Sequence, residues 1–341
     1  MKAAFLVEGG GIEVREVPIP EIGPREVLVR MKACGICGTD IEKSGGKFLT
    51  PPVLGHEVTG EVAKRGTEVE GLQVGDRVIV HHHVPCHRCH HCKRGSHTMC
   101  EDFPRTNLDP GGFAEYFRVP EALVAKGAVF PLPDEVSFEA GTLVEPTGCC
   151  LRALEECQVQ LGEDVAVLGA GPAGLLHVQL LRSMGSRRVL TTDVADFRLE
   201  AAERAGATAV FNPKLEDVEE RMQEHTEGRG VDLAIVATGN PQAIRQALGI
   251  VRKGGRILLF GTPHKGAELP VDFSQLFIRE TKIIPSYSTT EAEMEKALML
   301  IRKGILDVTS LITHRFKLDA FPEALDQAKR AGESLKVVVQ P

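Results

Sequence analysis

Two groups of residues in this sequence have the types and spacing to do metal chemistry. Cys86, Cys89, Cys92 and Cys100 form a C-x2-C-x2-C-x7-C run. Thiolates this close converge on one ion, and four sulfur ligands with no open position describe structural zinc. An iron–sulfur cluster is the competing reading, since C-x2-C-x2-C also opens the bacterial ferredoxin run. That run continues x3-C-P, whereas here the gap is seven and Cys100 precedes Glu101. Zinc is the expectation, and a colourless protein excludes the cluster. Upstream, Cys34-Gly35-Ile36-Cys37-Gly38-Thr39-Asp40 is followed by Gly55-His56-Glu57. Thiolate, imidazole and carboxylate together can bind a metal and leave one position for substrate. On the residues alone this second site stays open, because a lone cysteine and a lone His-Glu pair mean little individually.

Gly169-Ala170-Gly171-Pro172-Ala173-Gly174 fits G-x-G-x-x-G, follows the apolar run 165–168 and opens a helix. Glycines there permit a tight turn and let backbone approach a pyrophosphate resting on the helix N-terminus. Asp193, 19 residues beyond Gly174, stands where an acid binds the adenosine ribose hydroxyls. Its carboxylate repels a 2′-phosphate, so NAD is favoured over NADP. Arg198, five residues on, covers the adenine or reaches a phosphate. Phe260 and Gly261, at the end of a later strand, complete the expected cofactor set.

These sites need elements to hold them. Segments 26–31, 58–62 and 77–80 read as short strands punctuated by Gly and Pro. From residue 137 onwards apolar strands over 165–168, 188–192, 231–237 and 256–260 alternate with helices over 173–184, 198–205 and 242–252. Alternation of this kind builds a doubly wound parallel sheet. A helix over 292–303 and a strand over 336–339 close the chain. The expected class is α/β: a Rossmann domain over 147–287, and a β-rich domain over 1–146 to which 288–341 returns.

Composition narrows the function. The 341 residues suit roughly two domains, and 43% hydrophobic with 26% charged is ordinary for a globular chain. Forty basic against forty-seven acidic residues, with no basic run, disfavours nucleic acid as a partner. The longest apolar stretch, 165–181, is broken by Gly169, Gly171, Pro172 and Gly174, so no membrane span is expected. No signal peptide is read, because Glu8 interrupts the short apolar start. A cytoplasmic location is expected, and in that reducing compartment nine cysteines point to metal rather than disulfides. Seven of the twelve histidines lie between His81 and His97. With four cysteines filling a tetrahedron, these read as surface residues of a polar loop, one or two of His81, His82 and His83 turned towards the active site.

The motifs together resemble the zinc-dependent medium-chain alcohol dehydrogenase family, within it the sorbitol and polyol dehydrogenase-like branch. The resemblance runs almost end to end. Besides the motifs above it rests on Gly111-Gly112-Phe113-Ala114-Glu115-Tyr116, Leu143-Val144-Glu145-Pro146 and Thr313-His314-Arg315-Phe316. It implies a GroES-like β-rich catalytic domain, one catalytic and one structural zinc, and reversible oxidation of a secondary alcohol to a ketone by hydride transfer to NAD. Cys37 and His56 match catalytic zinc ligands. Glu57 matches a third ligand or a carboxylate behind it, and Glu145 a residue acting on zinc directly or through its water. Our expectation is that Glu57 holds the resting zinc while Glu145 acts through the water. Thr39 matches the hydroxyl that relays the substrate proton. Cys34, Cys149, Cys150 and Cys157 match no ligand position and read as small buried hydrophobes.

Two departures bear on substrate. Glu42 stands where the family often carries the histidine that ends the proton relay, so the relay ends in a carboxylate or in water. Threonine 3-dehydrogenases, the alternative within the family alongside simple secondary-alcohol dehydrogenases, typically carry that histidine. Lys43 stands where polyol enzymes often place an aromatic, which separates selection here from sorbitol and opens the question of an anionic substrate. The resemblance also implies a homo-oligomer, tetramer or dimer, joined through the sheet edge around 256–260 and 282–285. A non-catalytic zinc- and nucleotide-binding relative is the rival from another class, and the intact Cys37, His56 and Glu145 set counts against it. Zinc-free quinone and enoyl reductases lack the cysteine lobe.

Overall fold

The computed structural model describes residues 1–45, 52–261, 263, 266–330 and 332–341. Two sheets dominate it. The first is built on the long strands Val27–Gly35 and Glu57–Arg65, which pair antiparallel. Outward from Glu57–Arg65 lie Arg77–Val80 and Val129–Pro131, and Tyr116–Val119 adds to Val27–Gly35. Alternate residues Val27, Val29 and Met31 face a core completed by Val58, Phe113 and Phe117. The chain's last strand, Lys336–Gln340, pairs with the same central strand through Val338 to Gly35 and Val339 to Cys34. Ile312–Lys317 runs parallel beside it. The expected return of the C-terminal segment to the first domain is thus a strand pairing, and it runs beside Cys34 and Gly35.

The second sheet has six parallel strands. In spatial order they are Ala209–Phe211, Arg188–Thr192, Asp164–Leu168, Val231–Val236, Val251–Leu259 and Lys282–Pro285. The chain order reverses beside Asp164–Leu168, which places a crevice at its C-terminal end. Helices Pro172–Ser183 and Pro241–Ile250 begin with proline on their first turn, where the missing N–H costs nothing. The strand read over 256–260 starts earlier, at Val251. Between the pairs Val231–Val251 and Leu233–Arg256 the register shifts, and the bulge absorbs Gly254 and Gly255.

The two sheets share a core. Ala33, Ile79 and Phe130 from the first pack in one cluster with Val165, Leu175 and Leu233 from the second. Between them runs the helix Val144–Glu156, packed on Glu291–Arg302. Gly148 lets that packing close up: a Cβ there would lie 2.8 Å from Thr289 Oγ1.

Candidate active site

The short helix Gly38–Lys43 starts at Cys37, and Asp40 closes its first turn by accepting the Cys37 backbone N–H at 2.9 Å. The other oxygen of Asp40 lies 3.6 Å from His56 Nδ1. One carboxylate, 1% exposed, therefore positions both residues expected to bind metal. Gly55, at φ +95°, makes the turn that delivers His56; a Cβ there would meet the Phe113 nitrogen at 2.7 Å. Glu57 then opens the strand Glu57–Arg65 with its side chain inside. Ligand atoms of Cys37, His56 and Glu57 all lie within 4.8 Å of one another. Thr39 Oγ1 is 3.1 Å from Cys37 Sγ and exposed, placed to meet both the sulfur and solvent.

Glu57 is not a free carboxylate. Lys336 forms a buried ion pair with it and donates to the Ile36 carbonyl at 3.1 Å. Burial by itself lowers the affinity of Lys336 for its proton, but Glu57, Cys37 and Asp40 outweigh it and hold the ammonium charged. For His56 burial likewise opposes protonation; Asp40, Cys37 and Glu145 overcome it and push the imidazole up. Any ion entering this site displaces that proton.

Glu145 sits on the first turn of Val144–Glu156, 7% exposed. Its Oε1 accepts from Cys149 Sγ at 3.4 Å, one helical turn on. Burial pushes this carboxyl up, and the field of His56 only partly reverses it. Its ligand atoms group with those of His81 and His82, within 4.8 Å, rather than with Cys37 and Glu57. The two sets meet at the rings of His56 and His82, 4.8 Å apart.

Two expectations need correction. His87, His90 and His91 are exposed as read, but His81 is wholly buried and His82 and His83 half-buried. The reason is local: the His81 N–H bonds to the Ala128 carbonyl at 2.8 Å, carrying the strand Arg77–Val80 on into the core. Glu42 is exposed and makes no hydrogen bond to Thr39 among the described residues. Cys34, Cys150 and Cys157 are buried as expected, whereas Cys149 is a polar contact of Glu145. Asp40, Lys336 and Cys149 are the residues whose part in the site sequence reading missed, whereas His82 lies beside His56 as one of the three histidines expected there. Asp40 three places after Cys37 and Cys149 four after Glu145 carry helical-spacing signals; a single lysine opening an apolar strand carries none.

In the cysteine lobe the four sulfurs of Cys86, Cys89, Cys92 and Cys100 lie within 4.8 Å. The Cys86, Cys89 and Cys92 backbone N–H groups donate to Cys100, Cys86 and Cys89 sulfur at 3.3, 3.3 and 3.5 Å. Amides aimed at sulfur stabilise thiolates, and four such sulfurs fit zinc.

In the crevice of the parallel sheet, Gly169 takes φ +104° and a Cβ on Gly174 would lie 1.9 Å from the Gly169 carbonyl oxygen. Only glycine closes this turn. The Asp193 carboxylate accepts from the Ala170 N–H at 2.8 Å and the Ala195 N–H at 3.0 Å, with Arg198 4.0 Å away. Arg198 also reaches the Ser334 carbonyl at 3.4 Å. Gly169, Gly171, Asp193 and Arg198 line a cleft of about 820 Å³ bounded by Lys214, Thr238 and Arg245. Pro172, Ala173 and Gly174 form the helix start beside it. Phe260 and Gly261 do not line that cleft. Phe260 packs edge-on against His177, centroids 4.6 Å apart, and a Cβ on Gly261 would meet the Thr238 backbone at 2.4 Å.

Comparison with known proteins agrees with this construction. Residues 23–134 match the alcohol dehydrogenase GroES-like domain and residues 172–303 the zinc-binding dehydrogenase domain. The chain is 34% identical to sorbitol dehydrogenase of Bacillus subtilis, covering 100% of this chain and 97% of that protein. It is 35% identical to L-threonine 3-dehydrogenase of Chromobacterium violaceum, over 99% of each. Among solved structures, a zinc-binding dehydrogenase from Sinorhizobium meliloti bound to NADP superposes with a TM-score of 0.91 at 32% identity, covering 100% of this chain and 99% of that one. The chain is a member of the zinc-dependent medium-chain alcohol dehydrogenase family, an oxidoreductase acting on CH–OH groups.

Proposed function

We propose that this protein oxidises a polyol-type secondary alcohol reversibly to its ketone, using NAD. The observation that carries the reading is the Cys37, His56 and Glu57 cluster with the Thr39 hydroxyl 3.1 Å from the thiol. Cys37, His56 and Glu57 would hold a catalytic zinc, and Cys86, Cys89, Cys92 and Cys100 a structural one. When bound, zinc supplies acidification of a hydroxyl, and the nicotinamide accepts hydride. Asp40 fixes the orientation of Cys37 and His56. Lys336 shares the charge of Glu57, so this carboxylate offers an ion less than its full charge. Thr39 takes the proton leaving the substrate hydroxyl and passes it to solvent, with Glu42 reached through water. Glu145, buried beside His82, acts from the other side of the cleft.

NAD is preferred in this reading because the Asp193 carboxylate occupies the place a 2′-phosphate would need. Arg198, Lys214 and Arg245 are the cations that NADP would call on. Asp193→Gly is expected to move preference towards NADP in steady-state kinetics. Similarity to L-threonine 3-dehydrogenase supports that activity as a second reading. The division into 1–146 with 288–341 and 147–287 puts Glu145 at the end of one domain, on a helix that continues into the other. Nine unpaired cysteines suit the cytoplasm. The exposed edge strand Lys282–Pro285, with Ile283 40% exposed, supports a homo-oligomer, dimer or tetramer, through sheet pairing about a two-fold axis. The deciding experiment is metal analysis joined to a substrate survey with NAD and NADP across polyols, sugar phosphates, secondary alcohols and L-threonine. Two zincs per chain and polyol oxidation lost on chelation are expected; turnover without metal would end the reading.

A further inference from the structure

His82 and His83 follow the strand Arg77–Val80 and lie beside His56. The His82 ring lies 4.8 Å from that of His56 and 3.9 Å from that of His83. Their polar atoms are unequally used. His83 Nδ1 is 2.6 Å from the Thr106 carbonyl, so it donates there and leaves Nε2 as an acceptor. His82 makes no hydrogen bond among the described residues, and its Nδ1 is buried. A buried polar nitrogen without a partner destabilises the fold, and beside a reaction centre a substrate group can supply that partner.

Lys43 ends the helix Gly38–Lys43 and is half-buried. Its charge bears on both His82 and His83. It forms no ion pair among the described residues, and residues 46–51 bring no acidic side chain. A simple alkyl alcohol would leave both the imidazole nitrogen and this ammonium unanswered. We infer that the substrate is a hydroxylated oxyanion: a secondary alcohol with a neighbouring hydroxyl bonded by His82 and His83, and a carboxylate or phosphate received by Lys43. This deepens the dehydrogenase reading and rests on it. His82, His83 and Lys43 are specificity determinants here, contacting substrate parts away from the reacting carbon.

The test uses zinc-loaded enzyme, D-sorbitol, D-sorbitol 6-phosphate, D-gluconate and 2-butanol, and the variants Lys43→Gln and His82→Phe. At least one oxyanion should exceed sorbitol in kcat/KM by about tenfold, the phosphate and carboxylate arms deciding which. Lys43→Gln should cancel that advantage, chiefly through KM, and abolish its dependence on salt. His82→Phe should lower the ratio of sorbitol to 2-butanol kcat/KM by about tenfold. Calorimetric binding of the same probes gives a readout independent of turnover. If no alcohol is oxidised, the dehydrogenase reading fails, yet salt-sensitive binding of an oxyanion that Lys43→Gln removes still supports this site. Preference for sorbitol or 2-butanol with Lys43→Gln silent in kinetics and calorimetry overturns the inference. So does a third zinc per chain lost in His82→Phe, which would give His81, His82 and Glu145 to a metal.

Discussion

The two metal-competent clusters differ in how much of the molecule they need. The cysteine lobe draws every donor from residues 86–100, and its own backbone N–H groups solvate the sulfurs. Its apolar support is little more than Phe103. The Cys37, His56 and Glu57 cluster is instead assembled from a helix start, a glycine turn and a strand start. Lys336, which reaches across 300 residues of sequence to Ile36, sits against Glu57. Glu145 comes from yet another element, the first turn of Val144–Glu156. A local cluster is set by its own loop; a dispersed one is set by sheet register, so changes in either should separate cleanly.

The largest expected effect is on the dispersed cluster. Cys37→Ala removes one of three close donors and the partner of Thr39, and should cut kcat/KM by about a thousandfold or more. Zinc should fall from two per chain to one with little change in melting. Cys89→Ser should do the reverse, taking the other zinc and lowering stability by several kcal/mol, while freshly folded enzyme keeps its catalytic zinc. Loss of both metals in either variant would show that the clusters are not independent.

Glu145→Gln comes next. The amide keeps the size but removes a charge that acts across the cleft, in the field of His56. It should lower kcat and kcat/KM together by roughly a hundredfold, with zinc content near two per chain. Loss of the catalytic zinc would instead make Glu145 a primary ligand, with Lys336 too strong a competitor for Glu57. Unchanged kinetics would remove Glu145 from the chemistry.

This same contrast explains what could be read from sequence. The lobe and the glycine loop were legible because their chemistry is written within a few neighbouring positions. The strand over 188–192 was read to the residue, since Val189, Thr191 and Thr192 are β-branched and the segment is buried beyond Arg188. The dispersed cluster became legible only through family resemblance, because nothing near Glu57 announces Lys336. The histidine run misled for a different reason. His81, His82 and His83 follow one another without periodicity, and imidazole is at home in water and in a core alike. Only the pairing of His81 with Ala128 decides where the strand stops.

The smallest effect concerns those histidines, and it contrasts the lobe's surface with the cleft's wall. His81 is wholly buried, neither ring nitrogen has a partner among the described residues, and burial pushes its pKa down to about 3. In the unfolded chain the same side chain titrates near 6.5. Between these values the unfolded state binds a proton that the folded state refuses, so stability falls as pH drops below about 6.5. The slope reaches about 1.4 kcal/mol per pH unit for this one group and ends only near the folded value. His90, by contrast, is exposed in the lobe. His81→Leu should therefore flatten the fall in melting temperature between pH 6.5 and 5 and be close to neutral at pH 7.5, since it also removes two unpartnered nitrogens. Equal profiles for wild type and His81→Leu would mean that a group bonds His81 in solution, and the cleft wall would then be as well satisfied as the lobe.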